Sequence, residues 1–140
     1  LADISASSLP WEERDARLLI APMQLSRLRK QYLEVLSEDE YSDLVVIVQG
    51  RLSFEDFLAL LSKHRSVLSP PGKGYDCFRT WQALAVGTVP LVVEDDRYDQ
   101  RLFHGSGARF IPKPHELSRE ILQSLLSSLA APSEAARERL

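Results

Sequence analysis

Residues 69–92 of the chain, SPPGKGYDCFRTWQALAVGTVPLV, decide the fold. Two prolines and two glycines precede a helical pattern, Gly87 ends that pattern, and an apolar strand follows it. A turn, a helix and a strand in this order are typical of parallel α/β proteins. Packing alone does not require a glycine-rich turn with a lysine and an arginine at the mouth of a helix, whereas a bound anion would.

The chain on either side of this stretch alternates between strand and helix patterns. Predicted strands lie at residues 18–21, 44–48, 66–68, 91–93 and 109–111. Predicted helices lie at residues 24–36, from an N-cap at Ser53 to about Lys63, at 76–86 and at 115–129. Because the turns between them are short, the pattern predicts a parallel sheet with right-handed crossovers and helices on both faces.

For two of these segments the sequence makes more detailed predictions. The continuous, mostly β-branched run at residues 44–48 is typical of a strand buried on both faces. In the helix at residues 24–36, apolar side chains recur at helical spacing, which places Arg27, Arg29, Lys30 and Glu34 on the opposite side. Ligands of such sheets bind outside the carboxyl ends of the strands, at the point where the strand order reverses.

Composition indicates one globular domain. The chain has 140 residues, and its 17 basic and 20 acidic residues give a net charge of −3, which argues against a nucleic-acid-binding face. Its apolar runs are strand-sized, far below the roughly 18–20 residues of a membrane span. Cys77 is the only cysteine, which excludes an internal disulfide and a cysteine-cluster zinc site. Since the chain begins with Leu1, we expect a segment of a longer protein, with a lead-in at residues 1–10, one domain at 11–129 and a helix-prone tail at 130–140.

The glycine turn has the pattern of an anion site. Gly72, Lys73 and Gly74 follow a predicted strand and open a predicted helix, where free backbone N–H groups and the helix dipole favour an anion. Lys73 adds a mobile charge, and Arg79, one turn into the helix, adds a two-pronged donor suited to phosphate. The alternative is a simple turn with Asp76 as the helix N-cap, and the pattern alone leaves both interpretations open.

The same stretch resembles the nucleotide-sugar-binding half of exostosin-like glycosyltransferases of the GT-B type. In that family a strand ending in Ser-Pro-x-Gly leads to Asp-x-x-Arg, then to Trp-Glu-Ala-Leu, and then to Gly-x-x-Pro before an apolar strand. The matching residues here are Ser69, Pro70, Gly72, Asp76, Arg79, Trp81, Gln82, Ala83, Leu84, Gly87 and Pro90. The upstream WEER at residues 11–14, followed by an apolar strand and an arginine-containing helix, is similar to the family's entry to its second domain. The resemblance covers roughly residues 11–125.

This resemblance implies a Rossmann-like domain, one half of a GT-B architecture, that binds the diphosphate and nucleoside of a UDP- or GDP-sugar. By position, Gly72 and Gly74 would approach the diphosphate and Arg79 would neutralise it, with Lys73 and Asp76 beside them. The chain would then be the C-terminal, donor-binding domain of a hexosyl- or pentosyltransferase, with an N-terminal acceptor-binding domain in the same protein. Alone it would bind and not catalyse. For a eukaryotic enzyme of this family, the resemblance implies the Golgi lumen.

Gln82 departs from the family pattern. The family has an acidic residue at this position, which accepts hydrogen bonds from the ribose hydroxyls, and an amide accepts such bonds without the charge. This departure leaves a second interpretation open, a non-catalytic α/β module, either a degenerate transferase domain or flavodoxin-like, that serves protein contacts.

An acidic run follows the predicted strand at residues 91–93. Acidic pairs in the position of Glu94, Asp95 and Asp96 can hold Mg²⁺ or Mn²⁺ between diphosphate oxygens, but a solvated acidic loop explains them as well. Relatives of the GT-B type generally need no metal for chemistry, and the histidines have no metal-ligand spacing. We therefore expect a nucleotide-sugar donor and no required metal or other cofactor.

Overall fold

The computed structural model of the protein describes residues 8–23, 26–70, 78–93 and 107–132, and for Phe78 and Arg79 it describes the backbone alone. Within these residues the chain forms a five-stranded sheet with the order β2-β1-β3-β4-β5, and every pair of neighbouring strands is parallel. The strands are β1 (Asp15–Ile20), β2 (Val45–Ile47), β3 (His64–Leu68), β4 (Val89–Val93) and β5 (Arg109–Ile111). The predicted parallel α/β fold is confirmed.

In the described part of the chain, four helices connect or follow these strands: α1 (Arg27–Leu36), α2 (Phe54–Leu61), α3 (Phe78–Ala85) and α4 (Arg119–Ser127). Three of them begin at a serine whose hydroxyl accepts a hydrogen bond from a backbone N–H three residues later, and these serines are Ser26, Ser53 and Ser118. Such caps satisfy N–H groups that the first helical turn leaves unpaired. No helix in the described part of the chain is long and apolar enough to cross a membrane.

The sheet is covered on both faces, as the alternation of strands and helices predicts. Successive side chains of a strand point to opposite faces, so each strand contributes to two apolar cores. The core beside α1 and α4 contains Leu18, Ile20, Tyr32, Leu36 and Leu122. The core beside α2 and α3 contains Leu19, Leu58, Leu61, Ala83 and Val86.

The prediction for residues 44–48 was wrong in one respect, since β2 is not buried on both faces. It is an edge strand, and only Val45 is fully buried, while Val46, Ile47 and Val48 are partly exposed. A β-branched run predicts the strand, but neighbours that are remote in sequence decide whether that strand lies at the centre or the edge of the sheet.

The predicted last helix also begins later than its pattern indicates. Residues Pro114–Glu116 form a separate 3-10 turn, and α4 starts at Arg119, where the Ser118 hydroxyl caps the backbone N–H of Ile121. The hydroxyl cap fixes the start of α4 more strongly than the apolar periodicity does, because it pairs an N–H group that the helix would otherwise leave free.

At the amino edge of the sheet, the buried side chain of Arg14 joins separate parts of the chain. Only 7% of Arg14 is exposed, and its guanidinium donates to the backbone oxygens of Leu9 (2.7 Å) and Val86 (2.7 Å) and to the hydroxyl of Thr88 (3.0 Å). Gly87 makes room for this contact, because a Cβ there would lie 3.1 Å from Arg14 Nη2 and its φ of +81° disfavours other residues. Arg14 thereby fastens the segment before β1 to the turn between α3 and β4.

We expect Arg14→Ala to lower the free energy of unfolding by about 3 kcal/mol or more, because it leaves several buried oxygen atoms without a donor, each costing about 1–3 kcal/mol. Arg17→Ala, in the adjacent strand β1, is the matched control. Arg17 is exposed and pairs with Asp15 at 2.7 Å, and such surface pairs contribute at most about 1 kcal/mol. Urea unfolding of both variants measures the difference, and equal losses would contradict the structural role of Arg14.

Candidate functional site

The strand order reverses between β1 and β3. From β1 the chain turns to β2 on one side, and β3 then returns to the other side of β1, so connections leave this point in opposite directions. Ligands of open α/β sheets bind outside the carboxyl ends of the strands at such a switch point. β3 and β4 lie side by side and parallel, with Leu68 opposite Leu91, which places Ser69 and Pro70 at this carboxyl edge of the sheet.

The end of β3 is fastened directly to the start of α3. The Ser69 and Thr80 hydroxyl oxygens lie 2.9 Å apart, and both side chains are buried. The backbone N–H of Ser69 continues the sheet by donating to the Leu91 carbonyl at 2.9 Å. The residues on either side of the glycine turn are therefore held in a fixed relation to each other by hydrogen bonds within the fold.

Arg29 reaches the same edge from α1. Its Nε and Nη2 donate to the Pro70 carbonyl oxygen at 3.3 and 3.2 Å, and only 5% of the residue is exposed. The expectation that Arg29 lies on the side of the helix opposite the apolar residues was wrong. A guanidinium stays protonated at every physiological pH, so Arg29 supplies a fixed positive charge where the glycine turn begins.

The sequence contains a signal for the burial of Arg29. Arg29, Tyr32 and Leu36 are the buried residues of α1, and their spacing of three and then four residues defines one face of a helix. Arginine is rarely buried, so its residue type argued for the solvent side even though its position agreed with the buried face. An arginine in the apolar stripe of a helix next to a switch point is the pattern to search for.

The predicted site residues are described to different extents. Gly72, Lys73, Gly74 and Asp76 lie outside the described residues, as do Glu94, Asp95 and Asp96. Arg79 is the second residue of α3, and its side chain is not described. Gln82 is partly exposed on the same helix, and its spacing of three residues from Arg79 places both positions on neighbouring parts of one face.

The described part of the edge carries one cationic side chain and the amino end of a helix. It combines the Arg29 guanidinium with the start of α3, whose first backbone N–H groups carry a partial positive charge. Among the described residues no group of three histidine, cysteine or acidic side chains could hold a metal ion. His64 lies at the other end of β3, where its Nδ1 contacts the Leu60 carbonyl at 2.8 Å.

Two serines near the carboxyl end of β3 allow a matched test of the hydrogen bond between Ser69 and Thr80. Ser69→Ala removes the partner of Thr80, and we expect it to lower the free energy of unfolding by about 1–2 kcal/mol. The Ser66 hydroxyl is fully buried and has no hydrogen-bond partner in the described part of the chain, so Ser66→Ala should leave stability unchanged or raise it by about 1 kcal/mol.

Urea unfolding with unchanged m-values measures both serine variants. A loss for Ser66→Ala as large as that for Ser69→Ala would contradict the assignment of the two hydroxyls.

Comparisons with known proteins identify no family for this chain. No protein-family model matches the chain, and no curated protein matches it either.

Proposed function

We propose that this domain binds the diphosphate of a nucleotide sugar at the carboxyl edge between β1 and β3, as the donor-binding half of a glycosyltransferase. The observation that carries the proposal is the meeting of Arg29, the Ser69–Pro70 segment and the start of α3 at one point of the sheet. A diphosphate needs cationic and N–H donors that are held in place before it arrives. This edge supplies both kinds of donor.

The sequence motif supports the same assignment independently. Ser69 and Pro70 of the exostosin-like pattern lie at the switch point, and Arg79 of the pattern lies in the first turn of α3. Gly72 and Gly74 fall between these segments in sequence. These residues, matched by resemblance, therefore lie in sequence between the end of β3 and the first turn of α3, and Arg29, which the geometry adds, reaches the Pro70 carbonyl from α1.

In the proposed reaction an acceptor hydroxyl attacks the anomeric carbon of the donor sugar, and the bond from that carbon to the diphosphate oxygen breaks. The diphosphate leaves with additional negative charge. Arg79, Lys73 and the N–H groups at the start of α3 stabilise this charge more strongly in the transition state than in the ground state, which lowers the barrier. The base that accepts the hydroxyl proton comes from another part of the protein, so the isolated domain binds and does not catalyse.

A non-catalytic α/β module that serves protein contacts is the second candidate, and Gln82 favours it. Gln82 occupies the position that is acidic in the exostosin-like pattern, and it is accessible on the helix that carries Arg79. A neutral amide binds ribose hydroxyls less strongly than a carboxylate does, since hydrogen bonds to charged groups are the stronger ones. Binding of a nucleoside diphosphate separates the two candidates, because only the donor-binding domain requires it.

We expect Arg79→Ala to weaken binding of UDP or GDP at least tenfold, because charge-assisted hydrogen bonds contribute about 1.5–3 kcal/mol each and about 1.4 kcal/mol is a factor of ten. Arg79→Lys should recover only part of the affinity, since a point charge cannot form the two-pronged contact. Isothermal titration calorimetry measures both variants. Arg27→Ala is the control, because Arg27 is exposed on α1 two residues from Arg29.

Normal binding by Arg79→Ala together with a much lower melting temperature would show that Arg79 is a structural ion-pair partner and would contradict its assigned role. The same titrations with a chelator test the acidic run. Affinity should be unchanged, whereas complete loss of binding in chelator would assign a metal site to Glu94, Asp95 and Asp96.

A further inference from the structure

A second concave feature lies at the same edge of the sheet, beside β1 and β2. It is a cavity of about 250 Å³, bounded by the carboxyl ends of both strands and by one side chain of α1. Its lining residues are Ile20, Ala21, Pro22, Met23, Leu33, Ile47, Val48, Gln49 and Gly50. The volume is below the roughly 300–1,000 Å³ of sites for drug-sized ligands, so the cavity fits one ring system and not a whole nucleotide sugar.

The lining determines which kind of ring the cavity takes. Apart from Gln49 and Gly50, every lining residue is apolar. A monosaccharide carries hydroxyl groups around its ring, and apolar walls offer these groups few hydrogen-bond partners, whereas each buried hydroxyl without a partner costs about 1–3 kcal/mol. A flat unsaturated ring with a polar edge suits these walls better, because its faces are apolar and one amide pairs with its edge.

The polar end of the cavity is formed by Gln49 and Gly50, which follow β2. Gly50 has a φ of +102°, and a Cβ at this position would meet no atom within 4 Å. Glycine is therefore required here for the backbone conformation and not for space. Gln49 and Gly50 therefore supply the polar part of a lining that is otherwise apolar, and a few polar groups of this kind orient a ligand in an apolar pocket.

The cavity is within reach of a ligand anchored at the glycine turn. In the strand order β2-β1-β3, the ends of β1 and β2 lie one and two strand spacings from the end of β3, about 5 and 10 Å. Arg29 and Leu33 lie one turn apart on α1, the first at the Pro70 carbonyl and the second in the cavity wall. One helix therefore contributes to both the anion edge and the cavity.

We infer that this cavity is a subsite for an unsaturated ring carried by a substrate of the proposed transferase. The ring is either the base of the nucleotide or an aromatic aglycone of the acceptor, which present the same chemistry to the apolar walls. The assignment to a substrate rests on the proposed function, whereas the preference for a flat ring over a bare sugar rests on the lining alone.

The test follows the backbone amide of Gly50 and the side-chain amide of Gln49 by NMR during separate titrations with UDP, phenyl β-D-glucoside, glucose and pyrophosphate. UDP or the phenyl glucoside should shift both signals, and glucose and pyrophosphate should shift neither. A response to UDP alone identifies the ring as the base, and a response to the phenyl glucoside alone identifies it as the aglycone.

Filling the cavity should remove this response. Leu33→Trp should weaken the binding of the responding ligand at least tenfold, and Ile121→Trp, on the exposed face of α4, should not. Met23→Trp, from a separate wall of the cavity, serves the same purpose if the first variant does not fold. The inference is overturned if glucose shifts Gly50 as strongly as the aromatic ligands, if no probe shifts it, or if folded filling variants bind normally.

Titration with pyrophosphate distinguishes a failure of the proposed donor site from a failure of the proposed ring subsite. Its expected effect is on the amide of Thr80 at the start of α3 and not on Gly50. If no phosphate compound shifts Thr80 while phenyl glucoside still shifts Gly50, the donor site is lost and the aromatic subsite stands. If pyrophosphate shifts Thr80 and no aromatic probe shifts Gly50, the donor site stands and the subsite is lost.

Discussion

The pairing of β3 with β1 on one side and β4 on the other is the constraint on which the rest of the structure depends. Ser66, Val67 and Leu68 pair with β4, and β3 also pairs with β1 over most of its length. A parallel strand cannot return beside its predecessor without a crossover, so this pairing fixes the faces on which the helices lie. It also fixes the place where the strand order reverses, and with it the candidate site.

Two buried arginines stabilise the sheet, one at the amino ends of its strands and one at the carboxyl ends. Arg14 at the amino edge and Arg29 at the carboxyl edge both donate to backbone carbonyl groups that are remote in sequence. A guanidinium suits this task because its donors form a planar fork that reaches several oxygen atoms at once. The two positions differ in their surroundings. Arg14 connects the Leu9 carbonyl to the Val86 carbonyl, whereas Arg29 lies at the carboxyl ends of the strands, where ligands of such sheets bind.

The fold could be predicted from the sequence because each strand carries a short apolar run and each helix an apolar stripe. Strand ends were less predictable. β3 starts at His64 and not at Ser66, because His64 pairs with Asp15 of β1 in the sheet, and the neighbouring Arg65 lies over the Trp11 ring at 5.3 Å. Polar residues at a strand end resemble a loop in the sequence, and only tertiary contacts allow them to extend the strand.

The candidate site was likewise only partly predictable from the sequence. The glycine turn and Arg79 could be chosen from the sequence because short-range patterns mark a helix entrance. Arg29 was missed, because its charge argues for solvent although its helical position matches the buried face, and because its contact with Pro70 spans 41 residues. The cavity beside β2 was also not predictable from the sequence, since its walls come from the ends of two strands and from one helix, which only the folded sheet brings together.

A crystal structure of the domain with UDP would locate the two phosphates without reference to any variant. We expect both phosphates at the carboxyl edge, between the Ser69–Pro70 segment and the first turn of α3. Phosphates bound at the amino edge beside Arg14, or an empty carboxyl edge at saturating UDP, would contradict the proposed donor site.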